Sequence, residues 1–248
     1  MKLKILALPT LLILCSLLGV LLLVLTYFKA ISPLKVSDEI QIWVVLAQFF
    51  SVIVLGWLAL FQENIKRWWF YPELNIDFEF APPDCHKTEL RDEGMNNVAD
   101  AYYFRFGVAN TGKTHAQLCE AVIETFSTWN VEKGKFESVE RWNPVNLAWS
   151  MRASKDEFRT INPGRKVYCD LGCIDERGRH LFVLCLYLTP FNQNHFFPKW
   201  KYKFGVSVYC ENSRGGKIAR KEFIVDWYGK WFDDESKMFS EGIKIEAL

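Results

Sequence analysis

The stretch that decides the fold is Gly107–Thr114, "GVANTGKT". It matches G-x-x-x-x-G-K-[ST], the phosphate-binding loop of nucleotide hydrolases, letter for letter. Such a loop works because a parallel strand buried on both faces ends in a glycine-rich turn, whose backbone N–H groups and following helix N-terminus cradle phosphates. The residues upstream, "AYYFRFGVA", put Phe104, Phe106 and Val108 on one face and Tyr103, Arg105 and Gly107 on the other. Arg105 marks that second face as partly wet, unlike a strand of a parallel sheet. Downstream, "AQLCEAVIETF" is ambiguous by itself. A helix would align Ala116, Cys119, Ile123 and Phe126, whereas a strand would align Cys119, Ala121, Ile123 and Thr125. Context favours the strand, because the alternating strands and helices of a nucleotide hydrolase are missing and "FIVD", ending at Asp226, is the sole near match to its Mg²⁺-holding carboxylate. Asn110 and Gly112 then supply turn conformations that other residues resist, and Lys113 is a solvated turn residue.

Outward from this turn, nearly everything from Pro72 to Trp227 reads as strands and turns. "LNIDFEF" (Leu74–Phe80) alternates apolar and polar residues with period two, and "APPDCHKTELRDEGMNN" reads as a polar loop. Further strands are predicted at Tyr102–Ala109, Gln117–Thr128, Phe158–Ile161, Lys166–Leu171, His180–Thr189, Lys201–Cys210 and Lys217–Trp227, separated by "NTGK", "KGK", "NPGR", "ERGR" and "SRGG". A helix is suggested only in the C-terminal "DDESKMFSEGI". Seven or eight short strands at this spacing imply an all-β, immunoglobulin-like antiparallel sandwich. Tyr202, near the start of a late strand, is placed to hydrogen-bond back across a corner, as tyrosines do in such sandwiches.

The N-terminal region has a different composition. Ile5–Phe28 and Ile40–Phe61 carry no charge, and at about 1.5 Å per residue each is long enough to cross a bilayer core of roughly 30 Å. The first exceeds the apolar core of a cleaved signal peptide and lacks its small-residue cleavage site. Lys66, Arg67, Trp68 and Trp69 follow the second as a membrane-interface belt. With Lys2 and Lys4 before the first run, these bases favour a transmembrane helical hairpin with both ends in the cytoplasm. The expected organisation is therefore a hairpin over 1–70, a β-sandwich over 71–229 and a tail over 230–248. The expected localisation is the cell membrane, multi-pass with two spans, the β-domain facing the cytoplasm.

Charge and cysteine usage narrow the function. The chain has 30 basic and 29 acidic residues, and the region up to Glu63 holds four and three of them, so 26 of each remain beyond it. That balance argues against nucleic acid as a partner. Seven cysteines, an odd number, with no glycosylation sequon, fit a reducing compartment. No close C-x-x-C or H-x-x-x-H pair occurs, so no metal ligands are assigned, although period two puts Cys169 and Cys173 on one face. No G-x-S-x-G occurs, and Cys85 beside His86 is the one adjacent thiol and imidazole. No catalytic residue and no cofactor are predicted. For a partner contact the chain offers Trp227, Tyr228, Trp231, Phe232, Asp233 and Asp234, large aromatics next to an acidic run.

The order "KRWWFYPEL", "YYFRFGVANTGKTHAQLCEAVIE", "NPVNLAWS", "NPGRKVYCDLG" and "WYGKWFDDESKMFSEGIKI" resembles a group of uncharacterised prokaryotic membrane-anchored proteins with N-terminal transmembrane helices and one immunoglobulin-like domain. The resemblance implies architecture and no activity. The expected function is a non-enzymatic interaction or sensing module at the membrane surface, its partners being the lipid bilayer and another protein or a second copy. The alternative is a ligand-gated membrane effector whose β-domain binds a small signal such as a nucleotide. A polar pocket with converging Arg or Lys would favour the effector; a filled core with an exposed aromatic patch would favour the interaction module.

Overall fold

The computed structural model describes residues 36–91, 97–150, 157–178, 180–188, 195–213 and 218–248. The chain divides into two units, residues 1–63 and 64–248. One helix, α1 (Val36–Trp69), begins in the first unit and covers the second apolar run and the polar sequence on both sides of it. The first run, Ile5–Phe28, lies outside the described residues. Among the described residues no helix is long and apolar enough to cross a membrane. This corrects the two-span hairpin and the multi-pass membrane localisation. Where the sequence suggests an apolar span between loops, α1 runs without a break from Asp38 and Glu39 to Lys66 and Arg67, with Gln41, Gln48 and Ser51 along it.

The strands are β1 (Leu74–Asp77), β2 (Cys85–Arg91), β3 (Asn97–Asn110), β4 (Ala116–Asn130), β5 (Lys135–Ser138), β6 (Val145–Asn146), β7 (Ala148–Trp149), β8 (Arg159–Ile161), β9 (Lys166–Asp175), β10 (Phe182–Leu184), β11 (Phe196–Phe197), β12 (Trp200–Tyr209), β13 (Ala219–Trp227) and β14 (Ile243–Ala247). One antiparallel sheet runs β1-β3-β9-β10-β11, with β2 on β3 and β7 on β9; the other runs β14-β13-β12-β4-β5, with β6 and β8 on β4. Rings from the two sheets meet in the interior: Phe106 of β3 lies 5.3 Å from Phe223 of β13, and Phe182 of β10 lies 6.4 Å from Phe204 of β12. The all-β reading therefore holds as a β-sandwich-like pair of antiparallel sheets. Its long central strands match the period-two segments, since apolar residues at every second position can all face one shared core.

The ambiguous segment after Gly107–Thr114 is strand β4. Residues 120–123 and 125–128 pair with β12, and the register shift leaves Glu124 as an extra residue. The loop before it carries neighbours where a phosphate would sit. Asn110 is buried and organises the turn, its Oδ1 accepting from the N–H groups of Gly112 (3.0 Å) and Glu73 (3.3 Å). Its Nδ2 donates to the carbonyls of Thr114 (2.8 Å) and Ile161 (2.9 Å). The Thr111 N–H donates to Glu73 and that of Lys113 to Tyr71, so the loop's donors serve the segment before β1. A Cβ on Gly112 would lie 2.4 Å from the Glu73 nitrogen and 2.5 Å from the Tyr71 oxygen, which is why glycine stands there.

Strand β2 lies inside the segment expected to be a polar loop. The C-terminal segment forms a short helix, α2 (Glu235–Lys237), then a π-helical turn (Met238–Gly242) and β14, which pairs with β13 from Phe223 to Trp227. Residues 230–248 thus complete the sandwich. The Tyr202 hydroxyl donates to the Pro198 carbonyl at 2.8 Å, the back-bond its position suggests.

Candidate functional site

The aromatic and acidic residues near the C-terminus serve the fold itself. Trp227 is fully buried, and its Nε1 donates to the His180 carbonyl at 3.1 Å. Tyr228 is half-buried, with its N–H on the Gly242 carbonyl. Trp231 packs 5.0 Å from the Tyr102 ring and donates through Nε1 to Asp233. The carbonyls of Phe232 and Asp233 accept from the Tyr102 hydroxyl at 2.9 and 3.2 Å, and Lys87 Nζ also reaches the Asp233 carbonyl. Burial and then the charges of Glu235, Asp233 and Asp234 push the Tyr102 phenol up to about 12. Asp234 caps α2 by accepting from the Lys237 N–H. Only Asp233 and Asp234 of this group are exposed. The segment works as a strap closed over β2 and β3.

Candidate chemistry elsewhere is dispersed by the pleat. Cys85 faces the core, and burial pushes its thiol well up. His86 points the other way and is hydrogen-bonded to Arg105. Burial, then the neighbouring guanidinium, lowers the His86 imidazole, so it stands as a neutral acceptor for Arg105. Cys169 and Cys173 do not share a face. Cys169 pairs with inward-facing Phe106 and Cys173 with Tyr103, because β9 carries an extra residue, Leu171, between the pairs Phe104–Gly172 and Arg105–Asp170. One inserted residue reverses the alternation that the sequence implies. Among the described residues no group of three or more His, Cys, Asp and Glu side chains is placed to hold a metal ion.

A surface that sequence reading missed lies on the outer face of the sheet built on β12. Lys201 and Lys203 alternate with the core residues Tyr202 and Phe204, so period two alone sends both lysines outward. Across the strand pair, Trp129 of β4 and Phe136 of β5 pack edge to face at 5.1 Å. Lys201 Nζ sits 5.3 Å from the Trp129 ring centroid and Lys203 Nζ sits 5.6 Å from that of Phe136, distances at which a cation is drawn to a ring face. Lys203 is also paired with Glu222 at 3.3 Å. At the strand end Trp200, opposite the buried Trp227 and so on the other side of the sheet, is 44% exposed and donates through Nε1 to the Trp129 carbonyl at 2.9 Å, and Val131 beyond the end of β4 is 67% exposed. The available signal was the alternation of lysine with aromatic residues in "WKYKF"; the contribution of the β4–β5 hairpin required the pairing of Trp129 with Phe136.

Farther along the same strands, Glu124 accepts hydrogen bonds from the hydroxyls of Ser207 and Tyr209, and Arg220 lies 3.2 Å away. Burial would raise the Glu124 carboxyl, but these two hydroxyls and Arg220 together hold it below the usual carboxylate range. The result is a fixed, charged node on the outer face of that sheet. Comparison with family models and with curated proteins finds no match to this chain.

Proposed function

We propose that the β-sandwich is a non-enzymatic interaction module of immunoglobulin-like type, with another protein or a second copy of this chain as its partner. The observation that carries the reading is the cluster of Trp129, Phe136, Lys201 and Lys203: aromatic rings held rigid by strand pairing and flanked by cations, on the outside of a sheet. Large amphipathic rings fixed in place are the groups that contribute most to interface affinity. The Tyr202 back-bond to Pro198 supports the immunoglobulin-like assignment. Support for interaction over small-ligand sensing comes from the interior, where Phe104, Phe106, Phe182, Phe204 and Phe223 fill the space between the sheets.

The test is site-specific photo-crosslinking in cells from positions 136 and 201, with the exposed position 166 on β9 of the other sheet as a comparison site. Adducts at 136 and 201 that disappear in Trp129→Ala, while the variant keeps the wild-type circular dichroism spectrum, are the expected result. Equal adduct yields from all three positions, unchanged by Trp129→Ala, would remove this face from consideration.

A further inference from the structure

Two pairs of cysteines lie on neighbouring strands, one pair in each sheet. In the first, the register of β4 with β12 runs to Glu120 opposite Tyr209, and one step farther places Cys119 opposite Cys210. The two thiols are hydrogen-bonded to each other. Directly opposed residues of an antiparallel pair have Cα atoms about 4.5–5.5 Å apart, within the roughly 4.4–6.8 Å that a disulfide spans. In the second pair, Cys173 and Cys185 also share a hydrogen bond, but Cys173 is paired with Val183, so Cys185 is its diagonal neighbour. Diagonal positions are about 7–8 Å apart, too far for a disulfide unless the backbone moves.

We propose that Cys119 and Cys210 form a redox-active dithiol that closes to a cross-strand disulfide between β4 and β12 on reaction with a hydroperoxide. The pair is asymmetric in a way that suits this chemistry. Cys119 is fully buried, whereas Cys210 is 8% exposed and directly follows β12, just before the turn beginning with the exposed Glu211. Contact between the two sulfurs lowers the Cys210 thiol and raises that of Cys119, and Cys210 is also the less buried of the two. Cys210 is therefore the thiolate that attacks. Its sulfur takes the terminal oxygen of the peroxide, the O–O bond breaks, and the departing oxygen leaves as water or an alcohol after taking up a proton. Cys119 then attacks the resulting sulfenic sulfur; its proton and the sulfenic hydroxyl leave together as a second water. Two thiols are oxidised and one peroxide is reduced. The backbone beside Cys119 departs from regular pleat, with Leu118 at φ 48° and a register shift in the β4–β8 pairing between Ala116 and Cys119. This inference is independent of the interaction surface.

The experiment uses the full chain, reduced and then titrated with hydrogen peroxide. Free thiols are alkylated, and the protein is digested without reductant for mass spectrometry. A Cys119–Cys210 linked peptide, lighter by two hydrogens than its two parts, is expected, with reversal by dithiothreitol and an upward shift of the urea midpoint of the oxidised protein. Cys210→Ser abolishes the link and the shift, and Cys173→Ser leaves both. The map of the unmutated chain stands even if Cys210→Ser fails to fold. Full alkylation of Cys119 and Cys210 after peroxide, a link between other cysteines, or a link formed only in urea would overturn the proposal.

Discussion

Replacing Asn110 tests whether "GVANTGKT" is a structural turn. The side chain is 1% exposed and makes four hydrogen bonds, two accepted and two donated, joining the β3–β4 turn to the segment before β1 and to the end of β8. At about 1 kcal/mol for each, and allowing for the freed N–H groups of Gly112 and Glu73 to find water, Asn110→Ala costs about 2–4 kcal/mol. The Ile161 carbonyl contributes most, because Ile161 is fully buried. Asn110→Asp keeps the acceptor but turns a carboxylate oxygen toward the Thr114 and Ile161 carbonyls, so at neutral pH it is at least as damaging as alanine. Burial and those oxygens raise the folded-state pKa of this aspartate above its unfolded value of about 3.9. The folded variant then holds more protons than the unfolded chain between those two pKa values. Its stability relative to wild type is therefore highest below about pH 3.9 and falls as pH rises to the folded pKa. Urea denaturation of both variants, followed by tryptophan fluorescence across this window, measures both effects. A cost for Asn110→Ala below about 1 kcal/mol, or an aspartate variant that gains on wild type as pH rises, would refute the account.

Three further outcomes are expected. Gly112→Ala forces a methyl against the Glu73 nitrogen and the Tyr71 carbonyl, and lowers stability by about 1–3 kcal/mol in the same urea titration. Tyr202→Phe removes the hydroxyl bonded to Pro198 and costs about 1 kcal/mol with no change in the circular dichroism spectrum; a cost near zero would show the back-bond to be idle. Glu124 has a depressed folded-state pKa, so the stability it contributes is present above its unfolded pKa of about 4.3 and is lost as pH falls through the lower folded value. Glu124→Gln flattens that acid limb, which comparison of the two urea midpoints between about pH 2 and pH 6 detects.

Much of the candidate surface was hidden from sequence reading because it joins residues far apart in the chain. The aromatics next to the acidic run drew attention by adjacency, but Trp227 turns into the core and Trp231 lies on Tyr102, since a buried ring at a strand end gains more from packing than from exposure. Trp129 and Phe136 carry no local mark; strand pairing brings them to Lys201 and Lys203. Cys119 and Cys210 are likewise unremarkable until the β4–β12 register sets them opposite each other.

The sequence by itself determined the all-β character and most of the central strands, because period-two alternation is a local property that any one segment displays. It also determined that Gly107–Thr114 ends one strand in a turn to the next, through Arg105 on one face and the glycine at 112. Strand β2 escaped it, because an edge strand pairs on one side only and tolerates the polar composition of "CHKTELR". Only the tertiary structure decided which strands pair, that Leu171 and Glu124 enter as extra residues, and that residues 230–248 finish the second sheet. These are choices among non-local pairings, each worth little alone and settled together by burying a single shared core.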